Sequence, residues 1–336
     1  AGKVAGVQVT GSSGASMGGT QKIRIRGVNS IGGEDEPLIV IDGTPISNAN
    51  FAGGTGRDYG NLAQDVNPDD VESISVLKGP AASALYGIRG QFGVIMITTK
   101  KGKKGSENFT VELGSSYSVE KVANIMPYQN LYGAGSSQTW STLPNGDKHV
   151  SMIDESWGPR MDGTPVRQFY SFFPQDPQYG QLTPFIPHPD NIKDYYQTGS
   201  NFNRGVNVYG GTQNTNYRVS FNNTAINGIE PNTFLKRNNV GVNVGIDVSA
   251  KWNISANMNF ANNKGRRPEQ GAEAGSRYFG QWFERNIDMN RLRNYRYDDG
   301  TILHWNLRTP NSTTGEITNL RPLYFNNPFL QAEESF

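Results

Sequence analysis

From Phe109 onward the chain alternates apolar and polar residues with a period of two, the signature of half-buried β-strands. Phe109, Val111, Leu113, Tyr117 and Val119 share one face, and Thr110, Glu112, Gly114, Ser116 and Ser118 share the other. Phe202, Val206 and Val208 oppose Asn201, Asn203, Gly205 and Asn207; Tyr217, Val219 and Phe221 oppose Arg218, Ser220 and Asn222. Val240, Val242, Val244, Ile246 and Val248 oppose Asn239, Gly241, Asn243, Gly245 and Asp247, and Trp252 to Phe260 repeats the pattern. A soluble sandwich sets Lys, Glu and Thr opposite its core. Here the polar face is Asn, Ser and Gly, which suits a hydrated lumen. The segments run about the 9–11 residues of a tilted membrane strand.

The connections alternate in length. A long excursion (121–200) is followed by a short turn (210–215), a medium loop (225–237), a two-residue turn at Ser249-Ala250 and a very long stretch (263–326). Outer-membrane barrels do this because periplasmic turns are short and extracellular loops long. The first strand then rises from the periplasm, and Tyr209, Tyr217 and Trp252 fall where an aromatic girdle belongs. Five strands and the start of a sixth do not close a barrel, which takes about eight, and an open edge in lipid leaves backbone groups unpaired. The expectation is that more strands follow Phe336 or come from elsewhere. No apolar run nears the ~20 residues of a membrane helix. The mean hydropathy of −0.58 is compatible with strands that offer lipid only every second residue.

Residues 1–104 read differently, as a small α+β domain. Ile23 and Ile25 alternate with Lys22, Arg24 and Arg26 before Gly27. Leu38–Ile41 is a buried-strand run closed by Asp42-Gly43, a hairpin signal. Asn67 caps a short helix opened by Pro68, with Asp69, Asp70 and Glu72 near its positive end. Strand returns at Ile74 and Val76, Gly79-Pro80 breaks it, and Ala81–Tyr86 makes one or two helical turns that Gly87 stops in the left-handed conformation. Phe92–Thr99 is the last strand, and Lys100–Gly105 is a basic, flexible connector to the strands and loops of 105–336.

Composition excludes several functions. The 336 residues carry 31 basic and 30 acidic groups, so no strong field invites nucleic acid. There is no Cys, hence no disulfide and no thiolate metal site. Gly11–Gly14 and Gly53–Gly56 lack the phosphate-loop pattern, and no Gly-x-Ser-x-Gly elbow occurs. His149, His188 and His304 lie in separate loops without metal-ligand spacing and read as surface residues. Asp69/Asp70 and Asp298/Asp299 fit a cap and a turn better than an acid/base pair. The chain reads as neither an enzyme nor a cofactor carrier. No signal peptide opens it.

The motifs Ile23-Arg-Ile-Arg-Gly27, Pro37-Leu-Ile-Val-Ile-Asp-Gly-Thr-Pro-Ile46, Asn67-Pro-Asp-Asp-Val-Glu-Ser-Ile and Gly93-Val-Ile-Met-Ile-Thr-Thr-Lys-Lys-Gly102 strongly resemble the SusC/RagA-like branch of TonB-dependent outer-membrane transporters of Bacteroidetes. Ser156-Trp-Gly-Pro-Arg-Met-Asp-Gly163, Asn191–Gly199 and Asn232–Asn238 extend the resemblance into the strand region. It implies a plug domain inside a barrel of about 22 strands in the Gram-negative outer membrane. It further implies a SusD-like surface lipoprotein as lid, and import of oligosaccharides or peptides powered through TonB. Relative to a full member, the chain begins inside the plug, lacks the TonB box and stops about a quarter of the way round the barrel. Dimerisation of transporter–lid pairs stays open, as does the alternative of a non-transporting receptor or assembly platform.

The resemblance also implies sites. Plug cations that face barrel carboxylates map to Arg26 and Lys78, with Arg89 a further candidate. Ligand contacts at the plug's upper loops map to Glu34, Asp35, Arg57, Asp58, Tyr59 and Asn61. In the long loops Trp140, Trp157, Tyr170, Phe172, Phe173 and Tyr179 are expected to stack on ligand or meet the lid.

Overall fold

The computed structural model describes residues 4–11, 17, 21–27, 36–47, 66–105, 108–123, 125–150, 153–267, 282–323 and 326–334. Contacts divide the chain into two units, one formed by Ala1–Glu120, Gly199–Gly228 and Thr233–Gln270, the other by Lys121–Thr198, Ile229–Asn232 and Gly271–Phe336.

The first unit begins with the plug. Strands β1 (Val7–Gly11) and β2 (Gln21–Ile25) pair antiparallel. The sequence pattern assigns no element to β1. Strands β3 (Leu38–Ile41) and β4 (Thr44–Ile46) form the hairpin that Asp42-Gly43 announces, with φ of 47° and 87° at the two turn residues. Those angles match the twist of the flanking strands. A 3-10 turn (Pro68–Asp70) leads into β5 (Val71–Leu77), helix α1 (Pro80–Tyr86) and β6 (Val94–Thr99). The sheet order is β4-β3-β6-β5, with β3 and β6 parallel. Val40, Ala82 and Val94 are fully buried at its centre. Gly87 does end α1 at positive φ, but its ψ of −145° is not the left-handed helical value. The chain leaves through a second 3-10 turn (Gly87–Gly90) instead.

Strand β7 (Thr110–Glu120) opens the second part of this unit. Among its described residues, the segment after it holds the two-residue strands β8 (Ser141–Thr142), β9 (Lys148–His149), β10 (Pro165–Val166) and β11 (Thr183–Pro184), a third 3-10 turn (Phe169–Phe172) and helix α2 (Asn191–Tyr195). Then come β12 (Gly199–Gly211), β13 (Thr215–Asn227), β14 (Phe234–Ser249) and β15 (Trp252–Arg266). These four and β7 make one antiparallel sheet in the order β15-β14-β13-β12-β7. The turns Thr212–Asn214 and Ala250-Lys251 leave one end of the sheet and all long connections the other. The tight turn lies one residue beyond its expected place.

Register fixes what each face offers. Val111, Val208, Val219, Val242 and Met258 align in one row across all five strands. Thr110, Tyr209, Arg218, Asn243 and Asn257 align in a row of the opposite face. On β13 the polar Asn216, Arg218, Ser220 and Asn222 are buried, while Tyr217, Val219 and Phe221 are exposed. This is the reverse of a soluble protein. Large side chains exposed in rows would each forfeit about 1.5–3 kcal/mol in water, so their solvent is hydrocarbon. The parity also corrects one expectation: Tyr209 shares the inner row with Arg218, whose guanidinium lies 5.7 Å from its ring, and takes no part in an outer girdle.

The second unit is a packed body, where long irregular excursions were expected. Phe172, Phe173, Phe185, Tyr195, Ile287, Met289, Leu292, Leu303 and Leu307 are all below 2% exposed. Helices α3 (Met289–Arg293) and α4 (Pro328–Glu334) belong to it. Side chains from both excursions build this core, so neither could bury its apolar groups alone. His149 and His304, read from sequence as surface residues, are buried here. Burial lowers both pKa values, that of His304 to about 4.

Candidate functional site

The polar face of the five strands meets the plug, and carboxylates of the plug make the principal contacts. Asn67 caps the first 3-10 turn by accepting from the Asp69 N–H at 3.1 Å, with Pro68 fixing the entry. This brings Asp70 to the end of the turn, where its carbonyl accepts from Lys100 N–H at 2.8 Å. Its carboxylate is thereby aimed at β13. Arg218 Nη2 lies 2.9 Å from Oδ1, and Ser220 Oγ donates to Oδ2 at 2.9 Å, with Asn67 Nδ2 at 3.1 Å. The side chains of Arg218 and Asp70 are only 6% and 13% exposed. At that depth an ion pair needs its remaining hydrogen bonds, and Ser220 and Asn67 supply them. Gly241, next in the row to Ser220, leaves the space. A Cβ there would stand 2.6 Å from the Ser220 hydroxyl and 3.7 Å from Asp70 Oδ2.

A second clasp uses Asp42, held at the tip of the β3–β4 hairpin. Thr99 donates to it through its N–H at 2.8 Å and its hydroxyl at 2.6 Å, and Asn257 Nδ2 on β15 reaches the same carboxylate. A third contact pins the connector. Lys104 pairs with Asp247, which also accepts from Asn253 at 2.7 Å, and Gly105 N–H donates to Thr212 O at 2.9 Å. The basic stretch is therefore tied to the short-turn end of the sheet. Between the clasps lies a cavity of about 460 Å³ lined by Asp42, Asn67, Asp70, Thr99, Asn257 and Asn259. A second, of about 300 Å³, touches Asp69, Lys100, Glu112, Asn203 and Asn207. The first mixes its polar groups with Ile41, Ile46, Val66, Val240 and Phe260 in the gap between plug and wall.

The plug cations singled out from sequence lie elsewhere. Arg26 is exposed at a φ of 64°, with Nη1 next to Gly79; Lys78 donates to the Ala5 carbonyl at 2.6 Å; Arg89 is exposed in the second 3-10 turn. Glu34, Asp35, Arg57, Asp58, Tyr59 and Asn61 fall outside the described residues. Of the loop aromatics, Phe172 and Phe173 are core, at 1% and 0% exposure, which removes them as ligand or lid contacts. Tyr170 is capped by Arg291 at 3.8 Å, and Trp140 packs edge-on against Phe185 at 5.1 Å. Trp157 and Tyr179 keep exposed rings. Sequence reasoning missed Asp42, Asp70 and Arg218. Its available signal was Arg218 itself, a cation on the inner face of a membrane strand, where a charge requires a partner.

A sheet with hydrocarbon-facing and plug-facing sides, clasped onto an α+β domain, defines a plugged β-barrel of the outer membrane. Residues 1–94 match the TonB-dependent Receptor Plug Domain. The TonB-dependent receptor SusC of Bacteroides thetaiotaomicron is 32% identical over 277 residues, 82% of this chain and 23% of that protein. The TonB-dependent receptor P3 of Formosa agariphila is 33% identical over 257 residues, 76% of this chain and 20% of the relative. The RagAB peptide importer in its closed-closed state has the same fold, with a TM-score of 0.62 at 23% identity over 98% of this chain and 34% of that one. The chain belongs to the TonB-dependent receptors, in their SusC/RagA-like branch. It spans a quarter or less of the length of these curated relatives, 23% and 20%.

Proposed function

We propose that this chain is the plug and leading strands of an importer that draws oligosaccharides or peptides across the outer membrane, energised through TonB and served by a SusD-like lipoprotein lid. What carries the reading is the pair of carboxylate clasps. Asp70 and Asp42 bind the plug to the wall through a handful of directional bonds at the border of a cavity of mixed polar and apolar lining. Such a seat holds firmly yet yields bond by bond when one end is pulled. Arg26, Lys78 and Arg89 are the plug cations proposed to seat against further barrel strands. Glu34, Asp35, Arg57, Asp58, Tyr59 and Asn61 are proposed ligand contacts, with Trp157 and Tyr179 for ligand or lid. The peptide option follows the RagAB peptide importer, whose fold this chain shares, and the oligosaccharide option follows the resemblance of the plug motifs to the SusC/RagA-like branch.

The test uses a full-length receptor with any cysteine outside this stretch replaced, the stretch itself having none. Asp70→Cys with Ser220→Cys in the full-length receptor, joined by a short thiol crosslinker, fixes plug to wall. Expected is loss of uptake of labelled oligosaccharide and peptide pools, restored when a cleavable linker is cut. Uptake that continues through the crosslinked protein would overturn the reading.

A further inference from the structure

The lipid-facing side of the sheet carries its charge at one end only. On β7 and β12–β15 the outward residues are those in register with the Val111–Met258 row. Among them the charged ones are Arg204, Lys236, Lys264 and Arg266, four cations with no carboxylate. All lie toward the long connections. The opposite end presents Tyr217, Ile246, Ile254 and Trp252, without charge. Lys236 and Lys264 are directly opposed on β14 and β15, and both are exposed. Like charges so placed sit roughly 5 Å apart at Cα and repel. An anion between them turns that repulsion into attraction.

One register step toward the membrane runs a row of amides. Arg204 aligns with Asn223, Asn238 and Asn262, its Nε donates to Asn223 Oδ1 at 3.0 Å, and Asn223 Nδ2 donates to Asn238 Oδ1 at 2.7 Å. In the lysine row itself, in register with Lys236 and Lys264, Tyr117 and Phe202 meet edge to face at 6.3 Å, an aromatic pair of the kind that marks a headgroup boundary. Below lies the unbroken apolar row Leu113, Val206, Phe221, Val240 and Phe260. Lys236 and Lys264 above, amides with Arg204 at the border and hydrocarbon beneath follow, in order, the phosphates, sugar hydroxyls and acyl chains of one class of molecule.

We propose that this ledge binds a phosphorylated glycolipid of the outer leaflet, with Lys236 and Lys264 sharing a phosphate, Arg204 reinforcing them, and Asn238 and Asn262 meeting sugar hydroxyls. The assignment rests on the membrane reading of the strands and specifies which lipid belongs at their outer end. It gives the barrel a fixed height and a lipid collar at that end of its strands.

Full-length receptor in detergent is titrated with deep-rough lipopolysaccharide, the same lipid after phosphatase treatment, and phosphatidylglycerol, with bound lipid counted by native mass spectrometry. Expected is retention of the phosphorylated glycolipid at least fivefold above the other two, lost in Lys236→Gln/Lys264→Gln and kept in Lys251→Gln at the opposite end. These substitutions are on exposed positions and leave the core intact. Equal binding of the dephosphorylated lipid, equal binding of phosphatidylglycerol, or an unchanged double variant would each overturn the proposal. Failure of the wild-type receptor to partition into membranes at all would instead overturn the membrane reading beneath it.

Discussion

Arg218 on β13 and Asp70 in the plug meet at 2.9 Å across 148 residues of sequence, both nearly shut off from water. Removing one partner from such a pair leaves a buried charge alone, at a cost of about 3–5 kcal/mol, whereas removing both is far milder. Arg218→Ala is expected to loosen the plug by that amount, and Asp70→Ala/Arg218→Ala by less than half as much. Hydrogen exchange of the Val71–Leu77 strand against urea in the full receptor reads the seat directly. Equal loss in the single and double variants would mean the two groups are not coupled.

The second unit responds to pH through two buried groups of opposite sign. His304 is held at about 4, below its usual 6.5, because burial disfavours the imidazolium. The unfolded chain therefore binds the extra proton first. Stability from this group is complete above pH 6.5 and falls as pH drops toward 4. Glu284 is pushed well above the ordinary carboxyl value, foremost by burial and then by the charges of Asp154 and Glu155. Its contribution is complete below the ordinary value and is lost as pH rises through its raised one. Melting of this unit, followed by hydrogen exchange around Phe283–Ile287, is expected to weaken at both ends. Glu284→Gln should remove only the alkaline limb. An alkaline limb that survives in that variant would assign the effect to another group.

Much of this architecture could be read from residue order alone. Period-two alternation located all five membrane strands, because lipid on one side and a wet plug surface on the other leave little freedom of register. Asp42-Gly43, Asn67-Pro68 and Gly79-Pro80 marked the plug's turns, because each encodes a local backbone preference. The clasps were not legible in the same way. Asp70 reads locally as a helix-end carboxylate and Arg218 as one polar residue in an alternating strand; only the folded chain joins them. The expected plug cations Arg26, Lys78 and Arg89 have the opposite polarity to Asp42 and Asp70. Phe172 and Phe173 misled for a related reason. Aromatics in a long loop look available to ligand until a second excursion, more than a hundred residues later, covers them.

Gly158, in the Trp157-Gly-Pro stretch, has backbone on every side. A Cβ there would lie 1.9 Å from the Ala134 carbonyl oxygen and 2.9 Å from Gly135 Cα. Neither atom can swing away, because Gly158 N–H donates to Gly133 O at 2.9 Å and Trp157 N–H to Gly135 O at 2.7 Å. Gly158→Ala is expected to destabilise the second unit by about 3 kcal/mol. Gly146→Ala is a fair control. Its Cβ meets nothing within 4 Å, and its φ of 88° strains the new side chain by only about 1–2 kcal/mol. Thermal unfolding of the two variants side by side checks the ranking, and a milder Gly158→Ala would show that the Ala134 segment can move.

Val219 and its strand neighbour Ser220 point to different solvents, and that difference underlies the whole sheet. Val219 is 42% exposed in the row facing hydrocarbon, while Ser220 is 4% exposed and donates to Asp70. A charge near the middle of the lipid face costs about 2–4 kcal/mol, so Val219→Arg should lower barrel stability by that amount in bilayers. The penalty should shrink in detergent, whose surface deforms more easily around a charged group. Spin labels give the same contrast without charge. A label at Val219 should relax strongly with oxygen and weakly with a water-soluble nickel chelate, and one at Asn243 should be shielded from oxygen. Labels that reverse this order would place the apolar rows against the plug and the asparagines in lipid, which the register of all five strands forbids.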